Sequence, residues 1–168
     1  METVSGKPAI SLPSDAYLVD RARFSQALLE WNVADGSPSI LTADDPWRFE
    51  DRTLGITIDN SDLASELPID DASHYLFGSA QPDVLIGKAR RDALYGGLGA
   101  DILDGGGGED YLEGGAGEDT YIAGHGDAIF DHDGIGQVLF DGDLLIGGVL
   151  DGGAVPWPFL GITNTALT

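Results

Sequence analysis

The sequence predicts a mainly β fold: a parallel β-roll of nonapeptide repeats, with an N-terminal helix plus short strands before it and a C-terminal β capping segment after it. Three observations predict this. From Gly78 to Phe130 the chain repeats every nine residues, and an aspartate falls in unbroken register at Asp83, Asp92, Asp101, Asp110 and Asp119. Two places after each aspartate stands a bulky apolar residue: Leu85, Leu94, Leu103, Leu112 and Tyr121. Glycines recur at places one, two and four of the unit, as Gly96, Gly97 and Gly99, then Gly105, Gly106 and Gly108, then Gly114, Gly115 and Gly117. A short fixed period means stacked copies of one structural unit.

The unit has two parts. Its first six residues, glycine-rich with an acid at place six, suit a tight turn, because glycine accepts positive φ at little cost. Main-chain carbonyls turned inward beside an aspartate make an all-oxygen cage for a hard cation such as Ca²⁺. The last three residues put one apolar side chain between two outward ones, the period-two pattern of a short strand. Stacking the units lines Leu85, Leu103 and Tyr121 on one wall, and Leu94, Leu112 and Phe130 on the other. One coil takes two nonapeptides, and each ion is expected between a loop and its equivalent eighteen residues on.

The segments GGLGAD, GGGGED and GGAGED, each followed by x-U-x, resemble the RTX (repeat-in-toxin) calcium-binding nonapeptide. The resemblance covers about Gly78 to Phe130. The flanks YLVDRARF and GDAIFDHDGIGQVLFDGDLLIGG are similar to segments that border such blocks in large bacterial secreted proteins, many with a lipase-like or other α/β-hydrolase domain upstream. The resemblance implies a calcium-binding module that leaves Gram-negative cells unfolded through a type I channel, guided by an uncleaved C-terminal signal, and folds outside.

The copies differ, so unequal sites are expected. Loops 96–101 and 114–119 share an edge and are intact, which makes the pair Asp101 and Asp119 the best site. Loop 105–110, with Asp110, is intact, but its partner 123–127 has its acid one place early, at Asp127. GSAQPD keeps Asp83 with two glycines lost. GKARRD surrounds Asp92 with Lys88, Arg90 and Arg91, which repel a cation. Two to four ions are expected. A glycine-rich acidic linker would not keep leucine and aspartate in register over five copies. Phosphate-cradling loops are excluded by the absence of GK[ST] and by a carboxylate beside every turn.

The 168 residues carry a net charge of −21, and every lysine and arginine lies at or before Arg91. Nucleic acid and anionic membranes are poor partners for the half that follows; divalent cations are good ones. There is no cysteine, hence no disulfide or thiolate site. No apolar run is long enough to span a bilayer, and the N-terminus lacks a basic start with an apolar core, so no cleavable signal peptide is visible.

In order, the chain divides into an N-terminal cap region (1–74), the roll (75–130) and a C-terminal capping hairpin and tail (131–168). Ser14 or Asp15 can cap a helix to about Val33, with Tyr17, Phe24, Leu28 and Trp31 on one stripe and Asp20, Arg21 and Arg23 largely elsewhere. Trp47–Asp59 alternates in two halves around Gly55 and predicts a hairpin. Tyr75–Phe77 is expected to cap the open end of the roll, since a bare terminal coil exposes its edge. After the roll, Val138–Phe140 and Leu144–Ile146 predict a hairpin. Asp131, Asp133 and Gly134 open like an oxygen-rich calcium loop, without the glutamate that closes an EF-hand, and an extra ion there is the minor alternative.

No G-x-S-x-G elbow and no H-E-x-x-H pair occurs, so the expectation is a non-enzyme: a calcium-dependent folding module of an exported protein. The alternatives are a non-catalytic fragment of a secreted lipase-like hydrolase or haemolysin, and a surface adhesive module.

Overall fold

The nine-residue period winds into a coil with two parallel walls. The computed structural model describes residues 13–32, 46–59, 72–145 and 160–161. Helix α1 spans Asp15–Asn32. It starts where Ser14 caps it, the Ser14 Oγ accepting the Tyr17 N–H at 3.0 Å. The strands are β1 (Trp47–Asp51), β2 (Ile56–Asp59), β3 (Ser73–Phe77), β4 (Val84–Ile86), β5 (Ala93–Leu98) and β6 (Ile102–Asp104), then β7 (Tyr111–Ala116), β8 (Asp119–Ala123), β9 (Ala128–Phe130), β10 (Gly136–Phe140), β11 (Asp143–Leu144) and β12 (Leu160–Gly161).

From β3 to β10 successive strands alternate between two sheets. One sheet runs β12-β9-β7-β5-β3-β1-β2 and the other β11-β10-β8-β6-β4. Through the repeats all neighbours are parallel and eighteen residues apart, save β7 and β9 at seventeen, with Leu94 opposite Leu112 and Leu103 opposite Tyr121. The inner core is this pair of ladders: Leu85, Leu103 and Tyr121 on one wall, Leu94, Leu112 and Ile129 on the other, none more than 4% exposed. Ile129, not Phe130, completes the second ladder, because Leu112 pairs with Ile129. The short loop 123–127 drops one residue and shifts the register.

A second core lies outside the roll. The outward side chains of the larger sheet, Phe49, Phe77, Ala93 and Tyr95, are buried beneath Phe24 and Ala27 of α1. Phe77 and Tyr95 stack with ring centroids 5.2 Å apart, and Tyr17 meets both edge-on. The polar face of α1 also docks, contrary to the expected division into an apolar and a solvated face. Tyr95 Oη donates to Asp20 Oδ2 at 2.6 Å, Arg23 bonds Tyr75 Oη at 3.3 Å, and Arg21 pairs with buried Asp51. Aromatic side chains with hydroxyl tips need polar partners when covered, and α1 supplies them.

The hairpin of β1 and β2 is antiparallel as expected. β1 also pairs in parallel with β3, so β3 is an interior strand and the larger sheet continues two strands past the roll's first coil. At the far end β10 adds in parallel to β8 and turns back as β11. The acidic connection before β3, Trp31's side chain and the tail other than Leu160–Gly161 lie outside the described residues.

Candidate metal centre

The site is built from the loops that join the two sheets. Their aspartates form a ladder: each of the first four donates its own N–H to Oδ1 of the aspartate one coil further on. Asp83 N–H reaches Asp101 Oδ1 at 2.8 Å, Asp92 reaches Asp110 at 2.8 Å, Asp101 reaches Asp119 at 2.9 Å, and Asp110 reaches Asp127 at 2.9 Å. The ladder explains the unbroken register: each accepting carboxylate holds the preceding coil in place through a charge-assisted hydrogen bond.

The second carboxylate oxygen, Oδ2, divides the loops into two kinds. In 78–83, 87–92 and 123–127, which depart from the repeat, the N–H at place two bonds it: Ser79 to Asp83 at 2.6 Å, Lys88 to Asp92 at 2.5 Å, Gly124 to Asp127 at 2.7 Å. In the three intact loops the Oδ2 atoms of Asp101, Asp110 and Asp119 are buried without a partner. Backbone conformation makes the difference. Place two is Gly97, Gly106 or Gly115 in the intact loops, with φ of 105°, 84° and 100°. The corresponding Ser79, Lys88 and Gly124 have no such left-handed φ. Positive φ at place two, open only to glycine at low cost, turns that N–H away from the carboxylate and leaves it bare.

Buried carboxylate oxygens lacking a donor are costly, and the acids respond. Burial, then the Asp119 and Asp83 charges against a partly offsetting backbone N–H, push the Asp101 carboxyl up to about 6. Burial and the Asp127 and Asp92 charges push Asp110 up to about 7. Asp119 is raised by burial and by Asp131 and Asp133, and Asp92 is raised by burial. Asp83 alone is held below its usual value: its burial is outweighed by hydrogen bonds from Ser79 and by the Arg52 guanidinium.

Among the described residues, no three carboxylate or imidazole side chains converge closely enough to hold a metal by themselves. An ion at these loops must therefore take main-chain carbonyls as well, the mixed oxygen set that hard cations accept. The orphaned Oδ2 atoms fit that donor set.

The family model for the RTX calcium-binding nonapeptide repeat (4 copies) matches residues 77–112, 86–121 and 95–128, in three overlapping placements. Residues 77–128 are a block of RTX calcium-binding repeats. No curated protein and no solved structure matches the chain. The RTX β-roll is a structural calcium-binding module, and this chain carries one of about four turns.

The RTX loops bring every sequence-predicted acid onto the aspartate ladder, with Asp101 next to Asp119 and Asp110 next to Asp92 and Asp127. Glycines at place one, Gly96, Gly105 and Gly114, are demanded by crowding: a β-carbon on Gly105 would stand 2.7 Å from Asp110 Oδ2. Sequence reasoning missed Arg52, which bonds Asp83 Oδ1 at 3.1 Å and the Val84 carbonyl at 2.7 Å. It also missed Glu113, a buried acid that accepts the Ser14 hydroxyl at 2.5 Å and so ties α1 to the roll. The available signal for Glu113 was an acid at an outward strand place where the other repeats of that wall carry aromatics.

Proposed function

We propose that this chain is a calcium-dependent folding module, binding two to four Ca²⁺ ions and serving as the C-terminal part of a type I-secreted bacterial protein. Asp101, Asp110 and Asp119 would hold the ions, together with the carbonyls of their glycine loops. The observation that carries this reading is that, among the repeat loops, the Oδ2 atom is buried and unpartnered in the three intact ones and bonded in the others. Bound there, Ca²⁺ supplies the positive charge and oxygen coordination that these atoms lack. The chain's own part is to position the oxygens: glycine at place two strips the local donor, and the ladder bond through Oδ1 aims the carboxylate. One leucine per nine residues buries little apolar surface against the entropy of ordering glycine-rich loops. At extracellular calcium modules Kd is about 10⁻⁴–10⁻³ M, so the roll is expected to stay open in a low-calcium cytosol and to close outside the cell.

We assign the chain no catalytic role. It would act in three parts, 1–74, 75–130 and 131–168, with any hydrolase domain of the parent protein lying upstream. No helix among the described residues is long and apolar enough to cross a membrane. Circular dichroism with and without millimolar Ca²⁺, paired with isothermal titration, tests the proposal. Strand signal that grows with calcium and saturates at two or more ions supports it; identical spectra in chelator and in calcium overturn it.

A further inference from the structure

The matched repeats end at residue 128, yet the coil continues. β10 lies parallel to β8 with Gly136 opposite Asp119, so residues 131–135 form one more loop on the edge already occupied by 78–83, 96–101 and 114–119. In the earlier coils the residue at that register is an aspartate whose Oδ1 accepts the preceding N–H. Here it is glycine, and the Asp119 N–H goes to the Ile135 carbonyl at 3.2 Å.

The missing carboxylate arrives by another route. Asp131 Oδ2 lies 3.1 Å from the point where a β-carbon on Gly136 would stand, and Tyr121 Cε2 lies 3.3 Å from the same point. Asp131 is folded back by the Gly134 N–H to its Oδ1 at 2.9 Å. Asp133 clamps the loop to its neighbour by accepting the Gly117 N–H at 2.9 Å. On the facing loop Asp119 is fully buried with Oδ2 unpartnered, and the Tyr121 hydroxyl, on a residue 1% exposed, has no side-chain partner. Both atoms crowd the same place beside Gly114. Asp131 and Asp133 repel the Asp119 carboxylate, and no lysine or arginine follows Arg91 to offset them.

We propose that Asp119, Tyr121 and Asp131 form a further hard-cation site that closes the C-terminal coil outside the repeat block. It rests on the calcium reading of the repeats and extends it to a loop with a different sequence. Main-chain carbonyls and water complete the oxygen set, as two carboxylates alone do not. Asp133 is the positioning residue, holding the DHDGI loop against 114–119.

The test uses the full chain, with calcium titrated calorimetrically and terbium as a luminescent probe excited through tyrosine. Asp131→Asn is expected to bind one ion fewer than the parent while keeping its circular dichroism at saturating calcium. Tyr121→Phe is expected to lose most of the tyrosine-sensitised terbium emission, because that phenol touches the ion. An unchanged ion count in Asp131→Asn overturns the proposal. If Asp131→Asn fails to fold, Tyr121→Phe decides: emission equal to the parent's overturns it, and a marked loss sustains it. A parent chain that binds no calcium at all defeats the reading of the repeats instead.

Discussion

Arg52 ends the aspartate ladder: its guanidinium donates to Asp83 Oδ1 at 3.1 Å, where every later aspartate of the ladder receives a backbone N–H. The same side chain covers the Val84 carbonyl at 2.7 Å, on the edge strand of the smaller sheet. One side chain thus replaces the coil that would have preceded the first, and it blunts a strand edge that would otherwise invite pairing.

Arg52→Met should therefore loosen the N-terminal mouth of the roll. The pair is partly exposed, so its worth is small, about 1 kcal/mol, which corresponds to about 2–4 °C in Tm for a chain of this size. Arg52→Lys should recover only part, since it cannot reach carboxylate and carbonyl together. Thermal unfolding at fixed calcium measures both variants. A Tm for Arg52→Met equal to the parent's would show that the guanidinium decorates the edge rather than holding it.

The two kinds of loop make opposite predictions for the same substitution. Asp101→Asn with Asp119→Asn keeps the Oδ1 acceptors and removes two buried charges. In chelator the double variant should be the more stable, by about 1 kcal/mol or more, and calcium should no longer raise its Tm as it raises the parent's. Asp92→Asn puts an amide where the Lys88 N–H needs an acceptor. It should lose about 1–2 kcal/mol in chelator and in calcium alike. Denaturant melts under both conditions separate the two cases, and a double variant destabilised in chelator would refute the distinction.

Much of this was legible in the sequence, for a physical reason. Leu85, Leu94, Leu103 and Leu112 fill equivalent positions because a coil of fixed pitch admits one inward side chain per nine-residue repeat, so the period gave the walls and the ladder directly. What lay beyond reach was whatever the period does not govern. Phe77, Tyr95 and Tyr111 look like ordinary outward strand residues until α1 is known to lie over them, a contact spanning many tens of residues. Ile129 replaced Phe130 because a one-residue deletion in 123–127 reverses the side-chain order of the following strand. The separation of loops by Oδ2 was hidden too, since it depends on φ at place two and not on the aspartate itself.

Protons should compete with calcium. Asp101 and Asp110 are raised to about 6 and about 7 in the folded chain, with Asp119 raised as well, against an ordinary 3.8 when unfolded. Between about pH 4 and 7 the folded state then binds more protons than the unfolded one, so calcium-free stability falls as pH rises through that window. Asp83, held low, acts in the opposite sense and only below about pH 4. A chelated sample should be more stable at pH 5 than at pH 8, and the calcium midpoint should rise on acidification. Asp110→Asn should flatten the slope, which separates this effect from general relief of the −21 net charge. A chelated sample that is weaker at pH 5 than at pH 8 would contradict the assignment.

If glycine at place two is what bares the carboxylate, a silent loop can be converted. Lys88→Gly with Arg90→Gly turns GKARRD into GGAGRD, with glycine at places one, two and four and the acid unchanged. Positive φ at residue 88 becomes affordable, the N–H that now bonds Asp92 Oδ2 at 2.5 Å is turned away, and two cations leave the loop. Its partner one coil on, 105–110, is already intact, with Asp110 Oδ2 unpartnered. The variant should bind one calcium ion more than the parent by isothermal titration. It should also be less stable in chelator, because a buried oxygen has lost its donor. A gain in one without the other would separate backbone conformation from loop charge: an extra ion with unchanged chelator stability would mean that removing Lys88 and Arg90 was sufficient by itself.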